Sequence, residues 1–194
     1  MELFEIVDED DRVIGLRTRA ECHGNPSLVH RVAHVLIVNQ EGALLLQKRS
    51  LHKDIQPGKW DSSVGGHLDP GEDYLAAARR EMQEELGLVD QPLTLLYHCR
   101  IRNEIESENA ATFLAYYSGE VNFDPKEIDA VRYWMPQEIE RAIGKGIFTP
   151  HFEQEWRAYR DWCRRYPERE ADRLGLCAGD SMPNAVRALS GDGP

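Results

Sequence analysis

The chain has 194 residues, 41% of them hydrophobic and 29% charged, and a formal net charge of −11. That length suits one domain, or one domain with a tail, around a single core. A chain this acidic is a poor binder of nucleic-acid backbone or of an anionic membrane surface, so a small molecule is the expected partner. No apolar run approaches the ~18 residues of a membrane span. The acidic opening MELFEIVDEDDRV lacks the apolar segment of a secretion signal. Cys22, Cys99, Cys163 and Cys177 form no CxxC pair. The expectation is therefore reduced thiols in a cytoplasmic protein.

In chain order, Leu3–Val7 and Val13–Leu16 read as two short strands, and the acidic cluster Asp8–Asp11 as the hairpin turn between them. Val32–Val38 and Ala43–Gln47 are apolar enough for central strands, joined through Asn39-Gln40-Glu41-Gly42. Lys48, Arg49 and Lys53 follow, then a turn at Pro57-Gly58. Beyond residue 90, Leu93–Ile101, Ala110–Tyr117 and Val131–Met135 read as strands, and Pro136–Ile143 as a short helix. Phe152, Trp156, Tyr159 and Trp162/Cys163 recur at helical spacing, which predicts a helix packed on the core over Phe152–Tyr166. From about Pro167 the apolar pattern thins. The reading is one α+β domain over residues 1–165 and a C-terminal extension over 166–194, with 180–194 a mobile tail.

The segment GGHLDPGEDYLAAARREMQEELGL, Gly65–Leu88, concentrates the chemistry. A turn closing at Gly71 leads into a helix that Glu72 and Asp73 begin and Gly87 ends as a C-cap. At 100° per residue, Leu75, Ala78, Met82 and Leu86 form an apolar stripe. Glu81 and Glu85 run along one edge of it, and Glu84 lies further round on the same side. A solvated charged face would explain the three carboxylates at a cost of only ~0.2–0.5 kcal/mol per like-charge pair. A glycine turn feeding a carboxylate helix also brings backbone close to a ligand and clusters hard oxygen donors suited to Mg²⁺.

Gly66, five residues, Glu72, seven residues, then Arg80-Glu81-Met82-Gln83-Glu84-Glu85-Leu86-Gly87-Leu88 resembles the complete signature of the Nudix hydrolases. The resemblance extends over about Phe4–Trp162 and is strongest over the 23 residues of the box. It implies an α/β/α sandwich with a mixed sheet, and metal-dependent hydrolysis of a diphosphate linkage in a nucleoside diphosphate-linked or related small molecule. By resemblance, Glu81, Glu84 and Glu85 bind Mg²⁺, with Mn²⁺ an alternative, and Glu72 pairs with Arg80 to fix the loop. Lys48, Arg49, Lys53 and Gly66 are candidates for contacting the substrate phosphates. Lysine and arginine in such a loop are more often merely solvated. Many domains of this kind dimerise, so a homodimer is compatible with the resemblance.

The flanks are similar to one branch, the type I isopentenyl-diphosphate isomerases. Lys59-Trp60-Asp61-Ser62-Ser63-Val64-Gly65-Gly66-His67 resembles that family's Trp-Thr-Asn-Ser-Val-Cys-Gly-His segment. His23 and His30 match the spacing of two metal-binding histidines there, and His67 matches a third. Glu106-Ser107-Glu108 resembles its Glu-Asn-Glu segment. A second site from His23, His30, His67, Glu106 and Glu108 would suit Zn²⁺ or Mn²⁺. The isomerase needs a cysteine where this chain has Gly65, and glycine offers no acid or base. The expectation is a hydrolase on an isomerase-like scaffold. A non-catalytic nucleotide-binding module is the other alternative. Trp60 is read as core packing in preference to stacking on a ligand, and at most one of Tyr116 and Tyr117 can face a pocket.

Overall fold

A ten-residue strand, β3 (Val29–Val38), organises the molecule because its side chains alternate between two cores. The computed structural model describes residues 2–53, 55–102 and 106–167. The predicted extension over 166–194, tail included, lies outside the described residues from 168 onward.

Ala33, Val35 and Ile37 of β3 face one core; Leu36 and Val38 face the other. On its two edges β3 meets quite different partners. Strand β8 (Ser107–Tyr116) runs parallel to it in unbroken register from Val29↔Ser107 to Val38↔Tyr116. Along the other edge three antiparallel strands share it: β1 (Leu3–Val7) at His30, β6 (Val64–His67) at Val32–Val35, and β4 (Leu44–Arg49) at Ile37 and Val38. The predicted hairpin is present, with β2 (Val13–Thr18) on β1. Its turn is braced by the Asp8 carboxylate, which accepts from the Asp10 and Arg12 amides. Strand β7 (Thr94–Arg102) pairs with β8. Both β5 (Trp60–Asp61) and β9 (Ile128–Trp134) pair with β4.

Helices cover both faces. The carboxylate helix α2 (Tyr74–Leu86) buries Ala77, Ala78, Met82 and Leu86 in the first core. Leu75, expected on this stripe, is only half-buried, and Ala77 takes its place. The helix begins at Tyr74, two residues after Glu72, where the acidic pair suggested it would start. Asp73 is the N-cap, its side chain accepting from the Ala76 amide, and Glu72 stays in the preceding turn. Asp73→Ala should therefore destabilise the fold by about 1 kcal/mol, read from a urea midpoint. Gly87 closes the helix at φ 67°, a left-handed conformation glycine adopts freely. On the opposite face, α3 (Pro136–Ala142) and α4 (Pro150–Arg165) bury Ile139, Phe152, Trp156, Tyr159 and Trp162 against Leu36, Leu44, Leu46 and Leu114. The result is an α/β/α sandwich on a mixed sheet, as expected. A short helix not foreseen, α1 (Arg19–Cys22), is capped by Thr18 and Glu21 in a reciprocal capping box. Among the described residues no helix is long and apolar enough to cross a membrane.

Candidate active site

The box folds into a clamp around Arg80. This guanidinium donates to Glu72 through Nε (3.1 Å) and Nη2 (2.9 Å), and to Glu81 Oε1 through Nη1 (2.7 Å). Nη2 also reaches the His67 carbonyl (2.9 Å), and Nη1 reaches Glu84 Oε2 (3.3 Å). Glu72 accepts the Asp69 amide as well, so Arg80 ties the His67 and Glu72 ends of the turn together, while the Gly71 amide donates to Glu5. The expected Arg80–Glu72 pairing is thus present in the geometry. Burial works against the charge on Glu72, but Arg80 and the Asp69 amide outweigh it and hold its carboxyl below the usual range.

The three glutamates sit in unlike surroundings. Glu84 is exposed, whereas Glu81 and Glu85 are half-buried behind the glycine strand β6. A Cβ on Gly66 would lie 2.0 Å from Glu81 Cδ, so only glycine lets this carboxylate reach the backbone there. Glu85 Oε2 accepts from Gln47 Nε2 (2.9 Å) and lies 3.4 Å from the Gly65 amide. Burial, and then the charge of Glu81, push the Glu85 carboxyl up to about 8. Burial is also the main cause that raises Glu81, with Arg80 opposing it. Arg80 only partly offsets the burial of these carboxylates, and the remainder suits a cation.

A cavity of about 370 Å³ opens where the sheet divides. β3 and β4 pair at only two positions, after which β6 occupies the β3 edge and β5 and β9 pair with β4. The walls include Gln47, Arg49, Asp61, Gly65, Gly66 and Thr149. His23, His67, Glu106 and Glu108 lie in the same cavity. The five residues of the expected second site come together from separate elements, because cross-strand partners share a face. His30 pairs with Glu108 across β3–β8, and His67 pairs with Val32 across β6–β3, two residues along. His30 Nε2 and His67 Nε2 approach Glu108 Oε1 at 3.5 and 3.6 Å, and His23 Nε2 approaches Glu106 Oε2 at 3.8 Å. Ligand atoms of His23, His30 and His67 lie within 4.8 Å of one another, as do those of His30, Glu106 and Glu108. His30 Nε2, His67 Nε2 and Glu108 Oε2 are buried and make no hydrogen bond. Burial holds His67 below the usual histidine range. Burial opposes ionisation of Glu108 too, but its contacts with His30 and His67 outweigh that and keep it well below the usual carboxylate range. Neutral imidazole beside ionised carboxylate is the protonation state a metal requires. His151 at the start of α4 joins this cluster, 3.3 Å from Glu106 Oε1, and was not foreseen.

A second unforeseen group faces the same cavity. His34 Nδ1 lies 2.8 Å from Glu155 Oε2, while Tyr97 Oη and Thr112 Oγ1 donate to Glu155 Oε1. Burial would lower His34, but the hydrogen bond to Glu155 and its charge outweigh it, with Glu108 and Asp61 adding, and raise it to about 9. Burial would raise Glu155, and the same partners reverse that. A histidine whose folded pKa exceeds its ordinary 6.5 contributes stability that is complete below about pH 6.5 and disappears as pH rises through about 9. The urea midpoint of the wild type should therefore fall more steeply over that window than that of Glu155→Gln; parallel curves would refute the pair's charge.

The remaining predicted residues disperse. Arg49 lines the cavity but is engaged with the Ile55 carbonyl (3.0 Å) and Asp61 (3.3 Å). Lys53 pairs with Glu127, and neither it nor Lys48 is a lining residue. Trp60 packs edge-on against Trp134 with ring centroids 5.3 Å apart, in the α3–α4 core as expected. Neither Tyr116 nor Tyr117 lines the cavity. Cys22, Cys99 and Cys163 form no disulfide among the described residues; Cys177 lies outside them.

A mixed sheet between helices, with a glycine strand laid against a clamped carboxylate helix, defines a hydrolase of the Nudix type. The chain belongs to that family: the NUDIX domain model matches residues 28–152. It is 34% identical over 150 residues to an uncharacterised Nudix hydrolase of Yersinia pestis, covering 77% of this chain and 81% of that protein. It is 31% identical over 156 residues to an isopentenyl-diphosphate Delta-isomerase of Streptomyces coelicolor, covering 77% and 79%. Among solved structures it resembles DR0079 of Deinococcus radiodurans with a TM-score of 0.72 at 25% identity, covering 81% of this chain and 98% of that one. Nudix hydrolases cleave diphosphate linkages and generally use divalent metal ions.

Proposed function

We propose that the protein hydrolyses a diphosphate bond in a small organic diphosphate, with Mg²⁺ or Mn²⁺ held by Glu81, Glu84 and Glu85. The observation that carries this reading is the intact carboxylate ridge behind Gly65–Gly66, positioned by Arg80. The donors are hard oxygens, and burial raises the carboxyls of Glu81 and Glu85, a cost that a bound cation would offset. A bound ion would neutralise the diphosphate and acidify a water molecule. Arg80 holds Glu81 and Glu84 in place, Gln47 and Gly65 orient Glu85, and one of these carboxylates takes the proton of the attacking water. His23, His30, His67, Glu106 and Glu108 fit Zn²⁺ or Mn²⁺ as a second site, on the strength of their clustered ligand atoms, of which His30 Nε2, His67 Nε2 and Glu108 Oε2 are buried without a hydrogen bond.

The lining of the cavity bears on the substrate. Among the described residues its only aromatic rings are histidines, and Arg19 and Arg49 line it too; imidazole and guanidinium faces can both stack a base, so the lining suits nucleoside and non-nucleoside diphosphates alike. A homodimer and a cytoplasmic setting belong to the same proposal.

A panel of nucleoside and non-nucleoside diphosphates, with Mg²⁺, Mn²⁺ and Zn²⁺ varied, tests the reading. Turnover should require added metal and stop with chelator. No phosphate-containing product from any compound, with a folded protein, would overturn it. The isomerase reading rests on the relative from Streptomyces coelicolor and on the histidine cluster. It predicts an allylic product from isopentenyl diphosphate. Gly65 opposes it, and solvent-proton exchange into that compound at the background rate would end it.

A further inference from the structure

We propose that His34, held by the buried Glu155, is an anion-binding residue of the cavity and donates Nε2–H to a phosphoryl oxygen of the substrate. Glu155 is 4% exposed and takes its hydrogen bonds from His34, Tyr97 and Thr112. Tyrosine and threonine are neutral, and among the described residues the only ion-pair partner of Glu155 is His34. A carboxylate buried this deeply needs a counter-charge. His34 supplies it as an imidazolium, which then carries a second N–H on Nε2. The raised pKa of His34 agrees with this assignment.

The position of that second N–H points to its ligand. His34 lines the cavity and pairs with Gly65 across β3–β6. A Cβ on residue 65 would lie 3.3 Å from His34 Cδ2 and 3.7 Å from Nε2. Glycine therefore leaves the Cδ2–Nε2 edge of the ring open beside the backbone that Glu85 contacts from its own side. Among the described residues no protein group accepts from Nε2. The other charged groups that act on His34 are occupied. Asp61 accepts from Arg49, Thr149 and the Ser62 amide, and Glu108 faces His30 and His67. A phosphoryl oxygen meets the remaining donor, and charge-assisted bonds of this kind are the stronger ones.

The ligand class rests on the hydrolase reading, but binding can be tested without turnover. Inorganic pyrophosphate with Mg²⁺ is the probe, added to the full chain labelled with ¹⁵N-histidine. At pH 7 both ring nitrogens of His34 should be protonated, and the Nε2 signal should move on titration. His34→Gln should weaken pyrophosphate binding at least about tenfold. In Glu155→Gln, the pKa of His34 should fall, which a purely structural role for Glu155 would not produce. An Nε2 that is unprotonated, or unmoved at saturating pyrophosphate, overturns the proposal, as does unchanged affinity in a folded His34→Gln. If that variant does not fold, the wild-type titration decides alone. A moving His34 signal with no diphosphate cleaved would refute the hydrolase reading and leave this site standing. Cleavage with a silent His34 would do the reverse.

Discussion

Glu85→Gln is expected to lower kcat/KM for a diphosphate substrate by about 10²- to 10⁴-fold at saturating Mg²⁺, without loss of stability. The side chain keeps its shape and stays between Gln47 and Gly65. What it loses is the negative charge that burial and Glu81 already oppose, as its carboxyl pKa of about 8 records. Glutamine resembles the neutral acid that the apo fold favours at pH 7, so the fold is little disturbed, while the site loses the ionised oxygen donor that a cation would draw out. Steady-state rates together with a urea midpoint check both halves. An unchanged rate would remove Glu85 from the machinery. Glu84→Gln should also slow turnover, but among the described residues this exposed carboxylate pairs with Arg80 alone, and its loss should leave the midpoint nearly unmoved.

Gly66→Ala should be almost as damaging, by about 10²-fold in kcat/KM. The new methyl would stand 2.0 Å from Glu81 Cδ and 2.1 Å from Oε1. Neither side yields easily. Gly66 is paired with Ala33 inside β6, and the Glu81 carboxylate is held by Arg80 at 2.7 Å. The glutamate must therefore leave its position. Gly65→Ala meets only the edge of His34, at 3.3 Å, and should cost less. Equal losses in the two variants would mean that the contact with Glu81 does not set the activity.

Much of the site was legible because it is local. Gly66 lies on a short strand, Glu72 closes the turn after it, and Arg80, Glu81, Glu84 and Glu85 lie on the helix that follows, so helical periodicity and loop length suffice to bring them together. Most strands were also legible from apolar runs, within a few residues at their ends. The short pieces were not. β5 has two residues and β6 four, two of them glycine, and their pairing is set by neighbours distant in sequence. The same limit applied to phosphate contacts. Lys48, Arg49 and Lys53 looked equivalent, yet Arg49 alone lines the cavity.

The His34–Glu155 pair left a signal that went unread. Each is a polar residue at a core position: His34 inside the apolar run of β3, and Glu155 three residues after Phe152 on the stripe of α4. A buried polar group in such a place requires a partner. No spacing rule, however, joins positions 121 residues apart in sequence. By itself the amino-acid sequence determined the Nudix box, the alternation of β3 and the aromatic stripe of α4, because each depends on contacts between near neighbours along the chain. Only the tertiary structure decided which polar side chains share the cavity. That depends on strand order and register, which bring His30 opposite Glu108 and His34 opposite both Gly65 and Thr112, and on the side of the sheet where α4 packs.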